Sequence, residues 1–270
     1  MTQEEKNALK RWEEHHKALA ADVPVEDFTS QTDIDRKRKK LEADPVLWIK
    51  YFFPKYARYE FAPFHINAIK RVIEHDEWYE VLSWSRELAK STVAMFICMY
   101  LALTKRKRFF VLASATIDSA KRLLAPYKIN FESNPRIRQF YGSQITLGQW
   151  TDSEFTAKCG AKFIALGAGS APRGARNEEI RPDVIYLDDY DTDEDCRNPE
   201  TLKKKWDWFE ASLYPTRSIS QPTLILWCGN IIAKDCCIKR AGAKAKHWDI
   251  VNIRDKNGNS TWPAKNTEQQ

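Results

Sequence analysis

Residues 80–104 read EVLSWSRELAKSTVAMFICMYLALT, and the change of pattern inside this stretch decides the fold. Glu80–Trp84 is an apolar run of strand length, Val93–Leu103 is apolar all round as in a buried helix, and the polar turn SRELAKST, residues 85–92, joins them. A strand that passes through a tight turn into a buried helix opening on Lys-Ser has the layout of a phosphate-binding loop, in which backbone N–H groups face an anion. In that layout Lys90 reaches the β- and γ-phosphates of a nucleotide and the Ser91 hydroxyl ligates Mg²⁺. Trp84 and Ala89 stand where GxxxxGK[ST] has its glycines, so a plain helix N-terminus containing Lys and Ser is the competing reading.

Downstream, RPDVIYLDDYDTDED supplies the context. An unbroken apolar strand ending in Asp188-Asp189 delivers two carboxylates to the C-terminal edge of a parallel sheet, where open α/β proteins bind ligands. Asp188 is then the Mg²⁺ carboxylate and Asp189 the group that polarises the attacking water. A solvated acidic turn is the alternative for Tyr190–Asp195. Taken together, the loop and the acidic strand point to a nucleotide hydrolase.

Around these motifs strand-length runs alternate with helical patterns, which predicts a mainly parallel sheet covered on both faces. Strands are expected at Glu80–Trp84, Arg108–Ser114, Asp183–Asp188, Thr223–Cys228 and Trp248–Ile253. Helices are expected from His65 to about Glu77 and at Lys90–Thr104, Ile117–Phe131, Pro199–Leu213 and Lys234–Ala243. QITLGQW, SEFTAKC and KFIALG read as an inserted antiparallel hairpin set. Residues 1–43, with Leu9, Trp12, His16 and Leu19 at helical spacing and the basic run Arg36–Lys40, read as a helical appendage.

Composition sets the outer limits. With 270 residues, 43% hydrophobic and 30% charged, the chain is globular rather than disordered, and its 10 Trp favour a well-buried interior. The net charge of +6 is compatible with a polyanionic partner without demonstrating one. Six cysteines without CxxC pairs predict reduced thiols and no structural zinc. The polar N-terminus is unlike a signal peptide, and Val93–Leu103 is about half a membrane span, so an intracellular protein without a membrane partner is expected.

At this level the chain resembles the ATPase domain of the large terminase subunit, the DNA-packaging motor of tailed bacteriophages. The resemblance rests on the Arg-bearing loop SRELAKST, on RGAR before the acidic strand, on LDDYDTDED followed by an NPE-led helix with WDWF, on the strand TLILWCGN, and on GNSTWPAK. It covers roughly Pro45 to Pro263. It implies a P-loop NTPase fold of the ASCE/RecA-like kind, with an ATPase domain over residues 44–254 and a linker over 255–270 toward a nuclease domain that this chain lacks. DNA cleavage is therefore not expected.

The resemblance also implies ATP and Mg²⁺ as cofactors and a phosphate site formed by Ser85, Arg86, Glu87, Leu88, Ala89, Lys90, Ser91 and Thr92. YEFAPFH resembles the adenine-contacting segment, with Phe61 or Phe64 offering a ring face and His65 where Gln is usual. Asn230, after the strand beside the acidic one, is a candidate sensor of the γ-phosphate or the attacking water, with a plain Gly-Asn turn as the competing reading. Many members have Asp-Glu where this chain has Asp188-Asp189, so Asp191 or Glu194 is an alternative base. Arg86 is a candidate finger for its own nucleotide, while Arg173 and Arg176, in a Gly/Ala-rich segment, are candidates to act on a neighbouring subunit or simply to pair with Glu178 or Glu179. The implied partners are double-stranded DNA, further copies of the chain in a ring on the portal, the portal protein and the small terminase subunit, in the host cytoplasm. Lys105–Arg108, Arg136 and Arg138 are candidate DNA contacts. A helicase-like remodelling ATPase would need a second RecA-like domain, and a non-hydrolysing nucleotide-binding module would fit the missing Glu.

Overall fold

A computed structural model describes residues 23–172 and 180–266. Its strands are β1 (Trp78–Trp84), β2 (Phe109–Ser114), β3 (Glu154–Thr156), β4 (Lys162–Gly167), β5 (Val184–Asp188), β6 (Leu224–Cys228) and β7 (His247–Val251). They form one sheet in the order β3-β4-β2-β5-β6-β1-β7, parallel throughout except for β3 against β4. Parallel strands buried on both faces need apolar side chains at every position, and β2, β5 and β6 are buried from end to end.

The helices are α1 (Gln31–Glu42), α2 (Pro45–Phe52), α3 (Pro63–Glu74), α4 (Lys90–Leu103), α5 (Ile117–Ser133), α6 (Pro135–Tyr141), α7 (Asp193–Arg197), α8 (Pro199–Trp208) and α9 (Cys237–Lys244). One sheet face, with Leu82, Phe110, Leu112 and Tyr186, packs in the same core as Trp48, Phe52 and the apolar length of α4. The other, with Val81, Val111, Ile185, Leu187 and Trp227, packs against Leu202, Phe209 and Ile238. Helix starts are chemically marked: Asp44, Thr116 and Asn198 each accept backbone N–H groups of the first turn.

The mainly parallel sheet with helices on both faces agrees with the expectation. Two details differ. SEFTAKC and KFIALG do pair antiparallel, as β3 and β4, but KFIALG is also a strand of the main sheet, parallel to β2, where Phe163 stacks on Phe110 at 4.4 Å. QITLGQW forms no strand beyond a single Trp150–Phe155 bridge, since Leu147 is 93% exposed and finds nothing to pack against. The helix from Pro199 ends at Trp208 and widens into a π turn over Phe209–Leu213. The helix expected around Leu9–Leu19 lies outside the described residues.

Candidate nucleotide-binding site

β1, β6 and β5 lie side by side and end at the same edge of the sheet. The turn after β1 is left-handed at two non-glycine residues, Glu87 (φ 72°) and Ala89 (φ 59°). Ala89 occupies the second glycine position of the phosphate-loop pattern. The backbone there adopts the conformation glycine would take freely, at roughly 1–2 kcal/mol per side-chain-bearing residue. Trp84, at the first glycine position, remains a fully buried strand residue against Phe64 and His65.

α4 opens on Lys90, only 8% exposed, whose Nζ donates to Asn230 Oδ1 at 3.2 Å. Ser91, Thr92 and Asp188 line one cleft of about 410 Å³ together with Ser114, Arg122 and Tyr127. Asp188 is 4% exposed, and its Oδ2 accepts the Tyr186 hydroxyl at 2.6 Å, while Oδ1 is buried without a hydrogen-bond partner. Burial pushes the Asp188 carboxyl up to about 6, against the opposing pull of the Ser91 and Tyr186 hydroxyls and of Lys90. An orphaned carboxylate oxygen sharing a cleft with a hydroxyl is a donor set that suits a hard divalent cation.

Asp189 is exposed, left-handed at φ 43°, and borders this cleft and a second of about 280 Å³ that holds Arg86, Lys90 and Asn230. It thus stands between the Asp188 side and the Lys90 side. The two alternative carboxylates are placed differently. Asp191 touches the second cleft, but its Oδ1 and Oδ2 accept the Cys237 and Ile238 N–H groups at 2.8 and 2.9 Å, fastening the start of α9. Glu194 lines a separate cleft of about 390 Å³ with Thr116, Lys204 and Trp208.

His65 has another task than the one expected of it. It is fully buried, its Nδ1 accepts the Ala62 N–H, and its Nε2–H donates to Leu88 O at 3.0 Å. Burial lowers its pKa to about 4, so the ring is neutral and both nitrogens are engaged within the fold. Neither is left for an adenine, whereas Phe61 and Phe64 are half-buried beside it. Arg173 and Arg176 lie outside the described residues.

The basic candidates divide in the same way. Lys107 is 5% exposed and donates to Asp76 O and Pro222 O, so it is structural, as is Arg136, which donates to Pro24 O and Tyr51 O. Lys105, Arg106, Arg108 and Arg138 are exposed. The stretch 105–108 precedes β2 and therefore sits at the sheet edge opposite the Lys90 loop.

Tyr186 was not singled out by the sequence reading, although its position two residues before Asp188 places it on the same strand face. Among the described residues, Glu80, His247 and Asp249 also converge at metal-ligand spacing, but Arg71 already donates to Glu80 and Asp249. No described helix is long and apolar enough to cross a membrane.

No family model matches the chain, and neither does any curated protein. Among solved structures it is similar to the HK97 bacteriophage large terminase, with 14% identity, a TM-score of 0.56, and coverage of 81% of this chain and 45% of that one. It is also similar to the Thermus phage P74-26 large terminase ATPase domain (16% identity, 67% and 68% covered, TM-score 0.44). A further likeness is to the S. cerevisiae protein Dbp5, in a structure with ADP (9% identity, 81% and 53% covered, TM-score 0.46). The last two, below a TM-score of 0.5, add nothing to the assignment of fold. The chain spans less than half of the HK97 protein and has the P-loop, RecA-like fold.

Proposed function

We propose that this chain is the ATP-hydrolysing motor domain of a viral genome-packaging machine, coupling ATP turnover to movement of double-stranded DNA into a procapsid. The observation that carries the reading is the convergence of Lys90, Asn230, Asp188 and Asp189 where β1, β6 and β5 end. The likeness of fold to a phage large terminase and the motif order SRELAKST, LDDYDTDED, TLILWCGN support it.

Each residue then has a role. Lys90 exchanges Asn230 for the β- and γ-phosphates, which leaves the Asn230 amide to face the γ-phosphate or the attacking water. Ser91 and Asp188 would hold Mg²⁺, which supplies charge neutralisation on the phosphate oxygens when bound. Asp189 orients the attacking water and accepts its proton. Arg86 supplies positive charge from within the loop. Arg173 and Arg176 are the candidates for a finger reaching from a neighbouring copy in a ring on the portal, with the small terminase subunit as a further partner in the host cytoplasm.

A phosphate-release assay at matched Mg²⁺, with and without double-stranded DNA, tests the reading. Mg²⁺-dependent turnover accelerated by duplex DNA of any sequence, in a salt-sensitive manner, is expected. Absence of turnover would mark a nucleotide-binding module, and acceleration by single strands alone a helicase-like ATPase. Mixing Lys90→Ala subunits with Arg176→Ala or Arg173→Ala subunits separates the fingers, since recovered turnover requires action between subunits.

A further inference from the structure

After β7 the chain returns across the sheet edge to the back of the phosphate loop. Trp262 is 5% exposed, its Nε1–H donates to Glu60 O at 2.7 Å, and its ring lies 4.5 Å from that of His65. Lys265 Nζ donates both to the Glu87 backbone carbonyl and to Glu87 Oε2, each at 2.7 Å. His65 in turn donates to the next carbonyl, Leu88 O, at 3.0 Å. Two consecutive carbonyls of the loop are thus held from outside, by side chains that are themselves packed on Trp262.

These carbonyls lie where the loop's conformation is least favourable for its residues. Glu87 and Ala89 are both left-handed, without the glycine that would adopt this backbone unaided. In a trans peptide the C=O and the following N–H point in opposite directions. Fixing Leu88 O on His65 therefore turns the Ala89 N–H to the far face, and fixing Glu87 O on Lys265 sets the peptide before it. An anion-binding loop depends on this orientation of N–H groups.

We infer that Trp262 and Lys265 are positioning residues for nucleotide binding: they hold the glycine-free loop in its anion-binding conformation from the segment that follows the sheet. This rests on the reading of residues 85–92 as the phosphate loop.

The test uses the full chain, a fluorescent non-hydrolysable ATP analogue with Mg²⁺, and amide hydrogen exchange over residues 85–91. Lys265→Ala should weaken binding about tenfold, a change of about 1.4 kcal/mol, and speed exchange in the loop. Adding Ala89→Gly to Lys265→Ala should restore affinity to within about threefold, because glycine needs no external support in the left-handed region. A glycine supplies no charge, so rescue separates positioning from direct attraction of the phosphates by Lys265. Unchanged binding in Lys265→Ala, or no rescue by Ala89→Gly, overturns the inference. Lys90→Ala is the control for the underlying reading: if it binds as well as the wild type, the phosphate-loop assignment itself fails. If Lys90→Ala loses binding while Lys265→Ala keeps it, only the positioning role fails.

Discussion

Lys90 Nζ donates to Asn230 Oδ1 at 3.2 Å, a contact across 140 residues of sequence that ties the start of α4 to the end of β6. A nearly buried ammonium needs a partner, and the amide oxygen is a neutral one. On the proposed reading, a phosphate takes the place of this amide oxygen when nucleotide binds.

Removing that side chain should abolish nucleotide binding. Two charge-assisted hydrogen bonds to phosphate contribute roughly 1.5–3 kcal/mol each, so Lys90→Ala should lose at least about a hundredfold in affinity by calorimetry. A Kd within threefold of the wild type would exclude residues 85–92 as the phosphate site.

The carboxylates should separate by role. Asp189→Ala should keep nucleotide affinity within about threefold while turnover falls roughly 10²- to 10⁴-fold, as for loss of a general base. Glu194→Ala, whose side chain lines another cleft, should turn over normally. The reverse result would move the base to α7.

Asp191 should matter for stability rather than chemistry. Its carboxylate satisfies two N–H groups at the start of α9, and loss of such a cap costs about 1–2 kcal/mol. Urea denaturation of Asp191→Ala should show this loss at unchanged slope.

His65 should make stability pH-dependent. Its folded pKa, about 4, lies below the unfolded value near 6.5. The unfolded chain therefore binds more protons between these values, and the contribution of neutral His65 is complete above about pH 6.5 and lost as pH falls toward about 4. From about pH 7.5 to about pH 5 the wild type should lose about 2 kcal/mol more than His65→Gln. Parallel pH profiles for the two proteins would show that the buried ring does not govern acid stability.

The order of the main elements was legible because it is written in local pattern. Lys90–Leu103 announces itself by an apolar run after Lys-Ser, and Val184–Asp188 by four apolar residues ending in acid. What depends on distant partners was not. Nothing within Asp191–Asp195 tells which carboxylate caps α9, and nothing in RKR reveals that Lys107 is drawn inward by two carbonyls. The membership of KFIALG in the main sheet follows from Phe110, on another strand, and so has no local sign. Lys265 ends the stretch GNSTWPAK, but nothing in that stretch points to the loop, and its significance appears only where the folded chain brings it to Glu87.

The position of β1 has a consequence for biosynthesis. Both of its hydrogen-bonded neighbours, β6 and β7, come from the final third of the chain, with Trp78 facing Leu224 and Glu80 facing His247. Pairing of such distant segments is slow and must wait for the later strands to leave the ribosome. Until then the apolar α4 can meet Trp48, Phe52 and Phe110, which are already made, but has no completed sheet to lie on, so part of the longest greasy segment of the nascent polypeptide stays uncovered. A chain released before Leu224 would present that segment to chaperones and proteases without ever acquiring a place for a nucleotide.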